Sequence, residues 1–303
     1  MTGDPETAPL AAVRLSCYLN GYLVTDLTHP ASRIRNWKLT LAYDGTDFSG
    51  WQVQPGERTI QGELQAALGR VIGEAPLPQG SGRTDAGVHA LGQAASFALA
   101  APIPPGNLLY AVNRTLPDSI RIVEARTAPD TFHARHSAVA KTYEYRVFEE
   151  RPPGGAAGLC PPFLARYVHA CAWPLDLEAL EAAARHFVGE HDFLSFAATD
   201  PDLAARVSEV GVPASAVRAI FSSHWQRRES ESGSLLVYRV RGSGFLHHMV
   251  RNLVGTMLDA GRGYRLADEI PAMIAARARS AAGPTAPARG LFLHSVEYGG
   301  ADI

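Results

Sequence analysis

Two periods of hydrophobic spacing organise the chain from residue 36 onward. In Trp37–Tyr43, Trp37, Leu39, Leu41 and Tyr43 alternate with Lys38, Thr40 and Ala42, the spacing of a half-buried strand. Asp44-Gly45-Thr46 then reads as a turn. From about Thr59 the period lengthens, and Ile60, Leu64, Ala67, Leu68, Val71 and Ile72 fall on one helical face. Gly80-Ser81-Gly82 opens a glycine-rich loop. Gln93–Leu99 predicts a strand, Pro105–Leu116 a short helix closed by Pro117, and Ser119–Ala125 a further strand.

A second series begins at Lys141. Tyr143, Tyr145 and Val147 share one face of a strand, and Pro152–Pro162 reads as a loop. Asp176 suits the cap of a helix through Leu177, Leu180, Ala184, Phe187 and Val188, ended by Gly189. Residues 198–217 are small, polar and irregular, which predicts a surface excursion. Leu235–Arg241 predicts a strand. His247–Ala260 predicts an apolar helix stopped by Gly261, and Pro271 sits in the first turn of another. Leu291–Tyr298 predicts a last strand. Strands with one or two packed helices in each half give an α+β fold. The expected organisation is an extension over 1–35, one α/β half over 36–137 and another over 138–303, sharing a cleft. The extension has no sustained period, although Leu10–Val24 holds a loose apolar cluster.

Composition narrows the classes. The 303 residues suggest two domains of ordinary size, and 46% hydrophobic against 19% charged residues suffices for a sizeable core. A net charge of −2 argues against a tail-driven nucleic-acid binder but leaves room for a local basic cleft. Cys17, Cys160 and Cys171 are odd in number and widely spaced, which argues against a disulfide framework or a Cys-based zinc site and suits a reducing cytoplasm. There is no apolar run of membrane-spanning length. Asp4, Glu6 and Arg14 do not suit a secretory signal.

The segment Gly80–Ala90 carries the most unusual chemistry. Its glycines lack the spacing of a P-loop or of a dinucleotide fingerprint. Asp85 sits instead between small neighbours that let a tight turn present one carboxylate; the alternative is an Asx-turn closed on its own backbone. His89, four residues on, lacks a visible third metal ligand. His247 and His248 are adjacent, and neighbouring side chains on a helix diverge, so no metal is expected there either. Arg251 lies among apolar residues, either turned inward towards a carboxylate or phosphate or snorkelling outward. Residues 218–265 hold eight arginines against three acids. With Tyr143 and Tyr145 on a strand beside Lys141 and Arg146, they suit an RNA with an exposed base; a core tyrosine is the alternative for Tyr143.

Four segments occur in order: YDGTDFSGWQVQ (43–54), GRTDAGVHA (82–90), FHARHSAVAKTYEY (132–145) and GFLHHMVRN (244–252). Together they resemble the tRNA pseudouridine synthase A family over about residues 36–300. The resemblance implies the pseudouridine synthase fold, two mixed or antiparallel-sheet halves flanking an RNA-binding cleft. It also implies a homodimeric isomerase acting without cofactor or metal on uridines 38, 39 and 40 of the tRNA anticodon stem-loop. On the same basis Asp85 would be the catalytic aspartate, Tyr143 the ring that stacks on the target base, Arg251 the partner of the aspartate, and Arg83 an arginine that holds the nucleotide out.

Those residue types suit the reaction. The C1′–N1 bond of uridine must break, the base must turn, and C1′ must join C5. Nothing is oxidised, so no redox or group-carrying cofactor is required. A carboxylate serves as nucleophile or as base towards a sugar proton, and an aromatic face replaces stacking lost when the base leaves the helix. Two rival readings are an RNA-binding module without catalysis and a nucleoside hydrolase. The hydrolase would want a second carboxylic acid, which GRTDAGVHA does not offer.

Overall fold

The computed structural model describes residues 34–73, 76–155, 157–198, 215–230 and 233–300. The expected extension up to residue 33, and residues 199–214 of the expected excursion, lie outside the described residues.

One sheet runs through the described chain. Its strands are β1 (Arg35–Tyr43), β2 (Gln79–Gly80), β3 (His89–Leu99), β4 (Ile120–Ala128), β5 (Ala138–Glu149), β6 (His169–Cys171), β7 (Gly189–Asp192), β8 (Val217–Ser230), β9 (Gly233–Gly242) and β10 (Leu291–Tyr298). The order is β4-β1-β3-β10-β5-β9-β8-β7, with β2 beside β3 and β6 beside β5. β10 is the join, parallel to β3 through Phe292–His89 and antiparallel to β5 through Leu293–Tyr143.

Among the described residues five helices accompany the sheet: α1 (Ile60–Ile72), α2 (Pro105–Thr115), α3 (Leu177–Arg185), α4 (Met249–Gly261) and α5 (Ile270–Ala276). Thr59 caps α1 by accepting from the Gly62 N–H, and Gly73 ends it at φ 77°. Asp176 caps α3 by accepting from the N–H groups of Glu178 and Ala179. α3 stops at Arg185, short of the expected Val188. The His186 N–H bonds Ala183 and Ala184 in a tightened last turn, and Gly189 then enters β7. Buried side chains from Trp37 to Leu293 form a continuous apolar cluster.

The irregular segment expected up to residue 217 gives way to β8, which the alternation concealed. Ile220, Ser223 and Trp225 are its buried positions, and a bulge between Ile220 and Ser222 shifts the inward phase by one residue. Ser223 is buried because its hydroxyl meets the Tyr238 hydroxyl at 2.8 Å. Among the described residues no helix is long and apolar enough to cross a membrane.

Candidate active site

The segment YDGTDFSGW builds a support for the loop carrying Asp85. Asp44 closes an Asx-turn, its carboxylate accepting from the Thr46 N–H at 3.0 Å. The Gly45 N–H donates to His89 Nδ1 at 3.1 Å. Gly50 adopts φ 88°, and a Cβ there would stand 2.6 Å from the Thr84 carbonyl. Only glycine lets Trp51 approach so closely that its N–H reaches that carbonyl at 3.0 Å. Tyr43 and Thr84 share a hydroxyl–hydroxyl bond of 2.8 Å. The Gln93 amide donates to the Gly82 carbonyl at 2.9 Å, and Lys141 Nζ donates to the Ser81 carbonyl at 2.6 Å. The loop on both sides of Arg83 is therefore pinned by buried groups while Asp85 remains partly open, with 21% of its side chain exposed.

Arg251, in the first turn of α4, meets this carboxylate. Its Nη1 lies 2.9 Å from Asp85 Oδ2, and its Nε donates to the Ala286 carbonyl at 2.8 Å. The Ala286 N–H in turn donates to the Arg251 carbonyl, so the strap 283–287 and α4 hold each other. Gly255 allows that contact, since a Cβ would run into the Pro284 carbonyl. Of the two orientations open to Arg251 in the sequence, the inward one holds.

The same carboxylate also attracts two imidazoles. His248 Nε2 is 3.3 Å from Oδ2 and His247 Nε2 is 3.5 Å from Oδ1. Adjacent positions were expected to diverge on a helix, but His248 precedes α4 in the left-handed region at φ 57°. That turn brings the two rings to 4.0 Å between centroids. Burial pushes the His248 imidazole below its ordinary value, Asp85 opposes the shift, and His247, Arg251 and Arg279 reinforce it. Ligand-type atoms of Asp85, His247 and His248 lie within 4.8 Å of one another. Arg251 already occupies one side of that carboxylate. His89 is not part of this group: its Nε2 lies 3.1 Å from the Arg166 carbonyl and 3.2 Å from that of Arg289.

Tyr143 lies on β5 with 8% of its surface exposed, edge-on to Phe245 at 5.0 Å. Burial raises its phenol, and Tyr43 and Asp85 add to the shift, so the hydroxyl stays protonated in neutral solution. Tyr145 is fully buried with its hydroxyl donated to the Pro287 carbonyl at 2.8 Å, so it cannot share a base-stacking platform. Arg146 points to the other face, where it pairs with Glu144 at 2.7 Å and lies over the Phe292 ring. Arg83 is exposed two residues before Asp85.

Most of the arginines in 218–265 have internal partners. Arg227 is bidentate on Glu149 and Arg241 on Glu297, Arg239 places Nε and Nη2 on one oxygen of Glu144, and Arg262 and Arg265 share Asp259. Glu144, Glu149 and Glu297, from distant segments, thus offset part of the local excess of positive charge. His248 and the Ala286 carbonyl are site groups that sequence reasoning did not assign, whereas Lys141 stood beside Tyr143 among the basic groups suited to RNA. Only the position of Lys141, two before Tyr143 on one strand face, carried a signal.

A protein-family profile described as tRNA pseudouridine synthase matches residues 40–137 and 183–299. Curated relatives named tRNA pseudouridine synthase A include one from Solibacter usitatus, 51% identical over 265 residues, covering 88% of this chain and all of the relative. A second, from Moorella thermoacetica, is 44% identical over 264 residues, covering 86% of this chain and 98% of its own. A third, from Bacillus subtilis, is 41% identical with the same coverage.

Proposed function

Because the chain belongs to the tRNA pseudouridine synthase family, and is accordingly an isomerase that makes pseudouridine in tRNA, we propose that Asp85 acts directly on the target nucleoside at uridines 38 to 40 of the anticodon stem-loop. The observation that carries this reading is the Asp85–Arg251 pair. It is a partly open carboxylate, oriented by a guanidinium that is itself fixed to the Ala286 carbonyl.

In this reading the carboxylate attacks the nucleoside or takes a sugar proton, and the C1′–N1 bond breaks with its electron pair on the base. The base turns, C1′ joins C5, and the C5 proton leaves while N1 gains one. Tyr143 offers the ring face against the flipped base. Its phenol, kept protonated by burial, acts on the C5 proton only by relay, accepting it while passing its own on. Arg251 orients the carboxylate by a charge-assisted bond. Arg83, exposed on the same loop, holds the nucleotide out of the stem. The enzyme works as a homodimer in the cytoplasm, as the resemblance implies, with one α/β half over 36–137 and the other over 138–303.

Release of tritium from C5-labelled uridine in tRNA tests the assignment. Asp85→Asn keeps the shape and turn propensity of the loop but is neither nucleophile nor base. It is expected to fold and to release no measurable tritium. A variant retaining a tenth of parental turnover would overturn the role given to Asp85.

A further inference from the structure

Beside the Asp85 loop lies a group of cations that the reaction above does not use. Lys141 on β5 pairs with Gly242 on β9, and Gly242 pairs with Ile220 on β8. Arg218 lies two residues before Ile220, so Lys141, Arg218 and Tyr143 share one face of the sheet. Lys141 Nζ would lie 3.0 Å from a Cβ at Gly82, on the Asp85 loop. Arg218 Nε would lie 3.7 Å from a Cβ at Gly244, on the segment leading into α4. Two side-chain-free positions therefore border the group, one on each loop of the site.

Among the described residues, charge in this corner is uncompensated. The charged groups acting on Lys141 are Arg135 and Arg218, and the one acting on Arg218 is Arg135. Burial, and after it these two arginines, pull the Lys141 ammonium down to about 8. None of the three has a carboxylate partner among the described residues, in contrast to the paired arginines of β8 and β9. Lys141 commits one donor to the Ser81 carbonyl, leaving two. Among the described residues Arg218 bonds the Ser215 and Val217 carbonyls through Nη1, and its Nε and Nη2 meet no acceptor there.

Resting on the reading of the protein as a tRNA isomerase, we propose that Arg135, Lys141 and Arg218 form a phosphodiester site that grips the backbone of the strand carrying the target uridine. A phosphate supplies what this corner lacks among the described residues: negative charge and several acceptor oxygens. The site lies on the Tyr143 face, so it holds the backbone while the base is out of the stack.

The test measures tRNA binding over a range of KCl concentrations for the parent and for the Arg135→Ala/Arg218→Ala double variant. Both changes leave Lys141 on the Ser81 carbonyl. Affinity is expected to fall about tenfold, and the slope of log affinity against log salt to shrink by about 0.7–0.9 for one lost phosphate contact. Arg135→Gln/Arg218→Gln gives the same measurement should the alanine variant fail to fold. An anticodon stem-loop carrying single methylphosphonate linkages locates the contact. One neutral linkage should weaken binding to the parent and cost nothing further in the double variant. Folded variants with parental affinity and slope, or no linkage with this behaviour, would overturn the proposal. Competition by millimolar inorganic phosphate, equal in magnitude for every methylphosphonate substrate, would assign the site to free phosphate and overturn it too. Absence of tritium release from the parent itself would instead reject the Asp85 reading, since these binding measurements do not depend on turnover.

Discussion

Arg251 and Asp85, 166 positions apart in the chain, meet at 2.9 Å, and the Ala286 carbonyl fixes the guanidinium from behind. A rigid cation fork aimed at a partly open carboxylate is costly to remove for chemistry and cheap for packing. Arg251→Met is expected to lower turnover about a hundredfold or more, and Arg251→Lys to fall between the two because it keeps charge but loses the fork. Single-turnover tritium release, run beside thermal unfolding, checks this. Parental turnover in the Met variant would make the pair structural only.

Tyr143→Phe and Tyr143→Leu are expected to separate two roles. Phe keeps the ring against Phe245 and the face offered to a base, so tRNA binding should survive while proton relay suffers. Leu removes the face, worth about 1–3 kcal/mol of base stacking. Unchanged tRNA affinity in the Leu variant would leave Tyr143 as a core residue.

Arg227 should matter for folding and not for RNA. Its partner Glu149 is 2% exposed and also accepts from the Ser234 hydroxyl. Arg227→Met leaves that carboxylate buried without its cation, at a cost of about 3 kcal/mol or more. Urea unfolding should show the loss, and the salt dependence of tRNA binding should not change.

Acid should weaken the fold through His89. Burial holds this imidazole below its ordinary value against the opposing pull of Asp44, and its Nδ1 already accepts from the Gly45 N–H. As pH falls below about 6.5 the unfolded chain binds a proton that the folded chain refuses, so unfolding is favoured. His89→Asn should flatten part of this slope in urea titrations between pH 5 and 7. Burial shifts His169, His248 and His294 in the same direction, so part of the slope should remain. An identical slope in parent and variant would remove His89 as a contributor.

The sequence revealed those elements whose burial follows a clean period. β1 and α1 are examples: Trp37, Leu39 and Leu41 are fully buried, and Ile60, Leu64 and Leu68 nearly or fully so. β8 escaped because its bulge breaks the alternation and its inward positions include Ser223. The arginine excess over 218–265 overstates the free positive charge for a different reason. A local count of charge cannot include partners such as Glu144, Glu149 and Glu297, which reach those arginines only through strand pairing. His248 was misjudged because its left-handed backbone turns it off the helical face, a conformation that a histidine pair does not announce.

β10 has a consequence for how the molecule comes into being. It is the last strand made of those it joins, yet it lies between β3 and β5. Until residues 291–298 leave the ribosome, β3 and β5 each present an open edge, and the strands carrying the Asp85 loop are not yet stitched to those carrying Tyr143. An enzyme built this way cannot act on tRNA before this strand has been made. A message truncated before this strand would yield two unzipped sheets with sticky borders, a substrate for chaperones and proteases rather than a weakened catalyst.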